Sequence, residues 1–109
     1  MCCQPLHLGS REAQTAEELM RSRYAAYVLR DGAYLLRTWH PRTRPPEIGF
    51  DQSPGWLGLT VLATADGRYD DRHGEVEFRA AHEQGVLHER SRFMRRAGHW
   101  VYVDGDVVA

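Results

Sequence analysis

Residues 86–104 alternate between apolar and other side chains with a period of two, which predicts two successive strands. The short segment 96–99 between them contains a glycine and predicts the turn of a hairpin. Closing either two or four residues there pairs Phe93 with Tyr102 on one face of the sheet. Glu89 falls on that same face, where a purely structural strand does not need a carboxylate. The inward Glu89 is therefore the best lead to a functional site that the sequence offers.

A third strand, which precedes this hairpin, is predicted over residues 74–83 because apolar side chains alternate there as well. A two-residue turn at positions 84–85 would place Phe78 opposite Ser91, and the inward faces of the two strands then agree. On the outer face the same register opposes two like charges, those of Arg79 and Arg90.

A long helix is predicted over residues 15–30, and it begins at a capping box formed by residues 15–18. Tyr24 falls within its apolar stripe, whereas Arg21 and Arg23 lie on opposite flanks of that stripe. Each arginine either keeps its guanidinium in water while its stem covers apolar surface, or reaches a buried carboxylate. Both alternatives stay open at this point.

A shorter helix is predicted over residues 33–39, and Pro41 ends it. Trp39 and His40 lie at its end, where His40 faces solvent, caps the helix or points into a cavity. The following loop, residues 41–55, contains four of the five prolines. Loops of this length often cover a pocket.

With a further strand predicted over residues 56–63, the order of elements is that of an α+β fold, with the N-terminal helices packed on a curved antiparallel sheet. An ionised Glu89 inside such a fold is costly unless it is paired. We therefore weigh a structural ion pair of Glu89 with Arg23, Arg21 or His82 against a role as general acid or base. In that role, His40, Tyr24 or Ser91 would orient the substrate. The predicted pocket lining comprises Arg23, Tyr24, Trp39, His82, Ser91 and Trp100.

The composition is that of one ordinary globular domain of 109 residues, 42% of them apolar, with a net charge of −1. This charge does not favour nucleic acid as a partner, and no apolar run approaches the roughly 18 residues of a membrane span. We expect a cytoplasmic protein. Cys2, Cys3 and His7 fall short of the four ligands of a structural zinc site, so we expect no bound metal or cofactor.

Six segments together resemble the bacterial YchJ-like family, in the order that the family shows and over nearly the whole chain. They are residues 15–27, 38–41, 56–59, 76–78, 88–93 and 100–105. The resemblance implies a cone-shaped, nuclear-transport-factor-2-like (NTF2-like) α+β domain that encloses a cavity, here residues 15–109. It also implies a preceding SEC-C zinc motif, of which residues 1–14 would be a poorly structured remnant. Cys2 and Cys3 look like the end of that motif, without its first two ligands.

The family is functionally uncharacterised, so the resemblance supplies an architecture and no reaction. Cone folds commonly dimerise through the sheet and accept ligands in the cavity, so we expect a homodimer and a small apolar ligand. The favoured function is a small-molecule-binding or protein-interaction module. The first alternative is an acid/base enzyme of the lyase or isomerase type that uses Glu89, and the second is an accessory domain of a zinc-motif protein.

Overall fold

The computed structural model describes residues 4–9, 11–50 and 54–108. Within them, three helices, α1 (Gln4–Leu8), α2 (Ala16–Leu29) and α3 (Gly32–Arg37), precede four strands. The strands are β1 (Trp56–Asp66), β2 (His73–His82), β3 (Gly85–Arg96) and β4 (His99–Val107). They form one antiparallel sheet in sequence order, so the α+β prediction is confirmed. No helix among the described residues is long and apolar enough to cross a bilayer.

The start of α2 is fixed both by its own sequence and by the sheet. Thr15 is the N-cap residue, and its hydroxyl accepts a hydrogen bond from the Glu18 amide at 3.1 Å. The Glu18 carboxylate accepts from the Gln14 amide at 2.8 Å instead of completing the expected capping box. The Ala16 amide donates to the Gly67 carbonyl at 2.9 Å, in the turn between β1 and β2. This bond ties the first turn of α2 to one end of the sheet.

The register of β2 and β3 differs from the prediction by one residue on each strand. Phe78 lies opposite Glu89, not opposite Ser91. The turn closes one residue earlier than expected, and the His82 imidazole accepts a hydrogen bond from the Gln84 amide there at 3.2 Å. Because both strands shift together, every side chain stays on its predicted face.

The observed register also removes the predicted like-charge pair on the outer face of the sheet. Arg79 lies opposite a histidine, and Arg90 lies opposite Glu77. The Arg90 guanidinium bonds Glu77 at 3.2 Å and Glu75 at 2.8 Å. Opposite charges across neighbouring strands contribute about 0.2–1 kcal/mol each, whereas like charges destabilise the pairing. The correct register is therefore the electrostatically favourable one.

The main core lies between α2 and the inner face of the sheet, and a smaller one lies between α1, α2 and α3. Phe93 and Tyr102 pair across the hairpin as predicted, with ring centroids 5.7 Å apart. Ala97 and Gly98 form its two-residue turn, and both have positive φ, as a tight hairpin turn of this kind requires. The buried residues of the main core are Ala16, Leu19, Met20, Val76, Phe78, Ala80, Phe93 and Trp100.

The expectation that residues 1–14 are poorly structured is wrong for α1. Leu6 is only 3% exposed and belongs to the smaller core. The His7 imidazole donates to the Ser22 carbonyl at 2.8 Å, and Arg37 donates to the carbonyls of Leu6 and His7. A five-residue helix has little stability of its own, so its formation depends on these tertiary contacts and leaves no periodic signal in the sequence.

Candidate functional site

A cavity of 240 Å³ lies between α2 and the inner face of the sheet. At about 30 Å³ per water molecule, it offers the space of roughly eight waters. Glu89 contributes a carboxylate to its wall. The other polar or aromatic side chains that line it are Arg23, Tyr24, Tyr27, Trp56, Phe78, Ser91 and Tyr102. We call this space the Glu89 cavity.

The carboxylate of Glu89 faces inward, as the alternation along β3 predicts. One of its oxygens accepts a hydrogen bond from the Ser91 hydroxyl at 2.6 Å, and Ser91 is only 1% exposed. Gly105 lies opposite Ser91 on β4, and a Cβ atom at Gly105 would collide with the same carboxylate oxygen. The absence of a side chain at Gly105 therefore leaves room for the carboxylate.

Glu89 forms no ion pair with the partners that the sequence offered. Among the described residues, no cationic nitrogen lies within ion-pair distance of its carboxylate. Arg21 instead pairs with Glu17 at 2.9 Å on the exposed side of α2. The His82 imidazole bonds its own turn, and Arg23 bonds the α3 segment. The negative charge of Glu89 thus lies in the cavity wall without a neutralising ion pair.

Arg23 is buried, and its guanidinium follows neither alternative that the sequence left open, since it lies neither in water nor on a carboxylate of the described residues. It is 3% exposed, and its Nη1 donates to the Leu35 carbonyl at 2.8 Å and to the Thr38 hydroxyl at 2.7 Å. The guanidinium lies 5.0 Å from the ring centroid of Trp39 and 4.8 Å from that of Tyr102. Desolvation by burial lowers the pKa of Arg23, and neighbouring tyrosines oppose this effect. Two aromatic rings and two oxygen acceptors thus take the place of a carboxylate.

The tyrosine hydroxyls of the cavity are held in their neutral form. Burial raises the pKa of Tyr27 and of Tyr102, and the negative charge of Glu89 raises both further, while Arg23 opposes the shift. Burial likewise raises the pKa of Tyr24. At neutral pH these groups can therefore donate and accept hydrogen bonds without adding charge.

Four of the predicted site residues lie outside the Glu89 cavity. His40 does not line it, because its Nδ1 accepts from the amide two residues later at 3.0 Å and holds the ring in the loop. Trp39 and Trp100 line a separate cleft. His82 packs edge-on against Trp56, with centroids 5.5 Å apart, and so lies behind the cavity wall. Of the predicted set, Arg23, Tyr24 and Ser91 join Glu89.

Seven described residues of the cavity lining were not predicted as site residues, and three of them carry a polar group: Tyr27, Trp56 and Tyr102. Tyr27 follows Arg23 by one helical turn, and Tyr102 lies on the predicted inner face, so local periodicity could have identified both. Trp56 reaches the cavity because β1 crosses near α2, where its ring centroid lies 6.2 Å from that of Tyr24. This contact depends on tertiary structure, for which the sequence carries no local signal.

The described residues do not support a metal site. They contain no group of three or more His, Cys, Asp or Glu side chains arranged to hold a metal ion. Cys2 and Cys3, the incomplete zinc motif of the sequence, lie outside the described residues. His7 uses its Nε2 on a backbone carbonyl, and its ring packs at a tilt against Tyr34, with ring centroids 4.5 Å apart.

Comparisons with known proteins agree with this architecture. The family described as "YchJ, middle NTF2-like domain" matches residues 15–105. A UPF0225 protein of Streptomyces avermitilis is 56% identical over 96% of this chain and 75% of its own length. One from Streptomyces coelicolor is 55% identical, over 96% of this chain and 85% of its own.

Two solved structures extend the comparison to the fold. The solution structure of a SEC-C motif containing protein from Rhodopseudomonas palustris has a TM-score of 0.85 and 34% identity, over 99% of this chain and 90% of that one. A crystal structure of a SEC-C motif containing protein from Psychrobacter arcticus has a TM-score of 0.76 and 31% identity, over 98% and 71%. The chain therefore belongs to the YchJ-like family and has the NTF2-like fold of that family's middle domain.

Proposed function

We propose that this protein binds a small, mostly apolar molecule in the Glu89 cavity, with a hydrogen-bond donor of that molecule on the Glu89 carboxylate. The observation that carries the proposal is the state of this carboxylate. Within the described residues it accepts one hydrogen bond, from Ser91, and has no ion pair. A carboxylate has about four acceptor positions, so acceptor capacity remains for a ligand.

The charges of the cavity disfavour an anionic ligand. Within the described part of the chain, the Glu89 carboxylate lies in the lining without an ion pair, and the buried Arg23 already donates to Leu35 and Thr38. An anionic group would therefore be desolvated without a partner of its own, which costs several kcal/mol. A neutral hydrogen-bond donor brings no such charge. The aromatic walls formed by Tyr24, Tyr27 and Trp56 suit a planar apolar body.

A fragment screen monitored by ¹⁵N NMR tests this proposal, because Trp56 lines the cavity and its indole N–H gives a separate signal. We expect neutral aromatic fragments with one donor, such as 1-naphthol, to shift this signal. Glu89→Gln should weaken the binding of these fragments about tenfold, which is the usual contribution of a charge-assisted hydrogen bond. Glu75→Gln, on the outer face of the sheet, is the matched control and should leave binding unchanged. Equal affinity in both variants would contradict the proposal.

An acid/base enzyme is the second candidate, and the hydrogen bond between Ser91 and Glu89 favours it. A carboxylate in a cavity with an adjacent hydroxyl matches the geometry of a general acid or base. His40 has no part in this version, because it lies outside the cavity lining. NMR spectra of bound fragments over hours test this role. Conversion of a fragment that Glu89→Gln abolishes assigns an enzyme, whereas conversion that survives Glu89→Gln would exclude Glu89 as its acid or base.

Three further assignments of the sequence stay proposals. The names of the solved relatives support a role as the accessory domain of a zinc-motif protein. A cytoplasmic location is tested by cell fractionation.

We also propose that the expected homodimer forms through the outer face of the sheet. Sedimentation velocity over a range of protein concentrations tests it, since a sedimentation coefficient that stays at the monomer value would contradict the dimer.

A further inference from the structure

A second and larger cleft, of 520 Å³, lies between the N-terminal segment, α3 and the turn between β3 and β4. Buried apolar side chains, among them Leu6 and Trp100, contribute to its lining. Exposed basic side chains contribute as well: Arg11, Arg37, Arg44 and Arg96. We call this surface the basic cleft.

The four arginines come from separate parts of the chain, so their convergence is a product of the fold and not of a local charge run. Arg11 precedes α2, Arg37 ends α3, Arg44 lies in the following loop, and Arg96 ends β3. The whole chain has a net charge of −1, so this local excess of positive charge does not follow from the overall composition. A positively charged concave surface attracts anions and raises their local concentration.

Two of these guanidinium groups are already engaged, and two are free. Arg11 forms an ion pair with Glu18, and Arg37 donates to backbone carbonyls of α1. Glu12, the one carboxylate that lines the cleft within the described residues, pairs with a histidine at 2.9 Å. Over the same residues, the side chains of Arg44 and Arg96 form neither an ion pair nor a hydrogen bond. They are therefore available to an anion.

We propose that the basic cleft binds an amphipathic organic anion, with its apolar body against the lining at Trp39 and Trp100 and its anionic group at Arg44 and Arg96. The volume of the cleft lies in the range of about 300–1,000 Å³ that small-molecule sites occupy. Guanidinium groups bind phosphate and carboxylate in the same forked geometry, so the anionic group belongs to either class. The ligand differs in charge from the neutral molecule proposed for the Glu89 cavity.

Three probes with one shared apolar body test the inference by ¹⁵N NMR: 1-naphthyl phosphate, 1-naphthoate and neutral 1-naphthol. The three tryptophans separate the two sites, since Trp100 lines the basic cleft and Trp56 lines the Glu89 cavity. We expect at least one anionic probe to shift the Trp100 indole signal and to bind there more tightly than naphthol. The anionic probe that binds more tightly shows whether the cleft prefers a phosphate or a carboxylate group.

A charge-matched pair of double variants locates the anionic group. Arg44→Gln with Arg96→Gln should weaken the tighter anionic probe about tenfold or more, the usual worth of charged hydrogen bonds. Arg72→Gln with Arg79→Gln removes the same charge from exposed positions outside the cleft and should change affinity less than about twofold. Equal effects of the two pairs, or a response of Trp56 alone, would overturn the inference.

The two proposals fail independently of each other. Glu89→Gln should not affect anion binding at the basic cleft, because Glu89 lines only the other cavity. If 1-naphthol does not shift the Trp56 signal, the proposal that the Glu89 cavity binds a ligand is contradicted. The Trp100 signal still tests anion binding at the basic cleft.

Discussion

The hydrogen bond between Ser91 and Glu89 can be measured without knowing the ligand. Its oxygens lie 2.6 Å apart, and the Ser91 hydroxyl is almost fully buried. A hydrogen bond to a charged acceptor is worth about 1.5–3 kcal/mol, against about 0.5–1.5 kcal/mol for a neutral one. Ser91→Ala should therefore lower the free energy of unfolding by about 1.5–3 kcal/mol at neutral pH if Glu89 is ionised and bonded as described.

A double-mutant cycle isolates this interaction. In a Glu89→Gln background the acceptor is neutral but of similar shape, so Ser91→Ala should cost only about 0.5–1.5 kcal/mol. Urea denaturation of the four proteins gives the coupling free energy, which we expect to be about 1 kcal/mol or more. Ser22→Ala is the control, because Ser22 bonds Leu19 and Tyr34 in the smaller core, away from the cavity.

The loss of unfolding free energy caused by Ser22→Ala should add to that caused by Glu89→Gln to within about 0.5 kcal/mol. If Ser91→Ala is equally additive with Glu89→Gln, the buried Ser91 hydroxyl does not donate to the Glu89 carboxylate. That result would refute the geometry on which the proposed function rests.

Further predictions concern neighbouring groups of the same cavity. Arg23→Lys should cost about 1–3 kcal/mol in urea denaturation, since an ammonium group cannot reproduce the stacked, planar guanidinium; a change below about 0.5 kcal/mol would contradict the burial described here. Gly105→Ala should displace the Glu89 carboxylate and abolish fragment binding, whereas Gly58→Ala, with open space around it, should not. Because burial raises the pKa of Tyr102, the folded state holds this proton more tightly than the unfolded chain, so stability should fall as pH rises above about 10. Glu89→Gln should lower the pKa of Tyr102, which the NMR signals of the tyrosine ring report. An unchanged pKa would show that the charge of Glu89 does not act on Tyr102.

Much of the sheet could be predicted from period-two alternation. The inward faces of β2, β3 and β4 and the pairing of Phe93 with Tyr102 follow from side-chain alternation and a short turn. The one-residue register error arose at the β2–β3 turn. The prediction placed the glycine of residues 84–85 inside the turn, whereas a His82 side-chain hydrogen bond closes it earlier.

The outcomes for Arg23 and His40 have different physical causes. For Arg23 the sequence allowed a solvated guanidinium or an ion pair with a buried carboxylate, and only the juxtaposition of Trp39 and Tyr102 makes its burial without either favourable. That juxtaposition joins elements distant in sequence, which local periodicity does not encode. His40 was placed near Glu89 on the basis of its chemistry, but a local hydrogen bond fixes its ring elsewhere.

A crystal structure of the protein with a neutral aromatic fragment selected in the NMR screen tests ligand binding at Glu89 most directly. We expect density for the fragment between α2 and the sheet, with its donor about 2.7–3.1 Å from a Glu89 oxygen. A Glu89 carboxylate turned into bulk solvent, or a cavity filled by protein side chains, would contradict it.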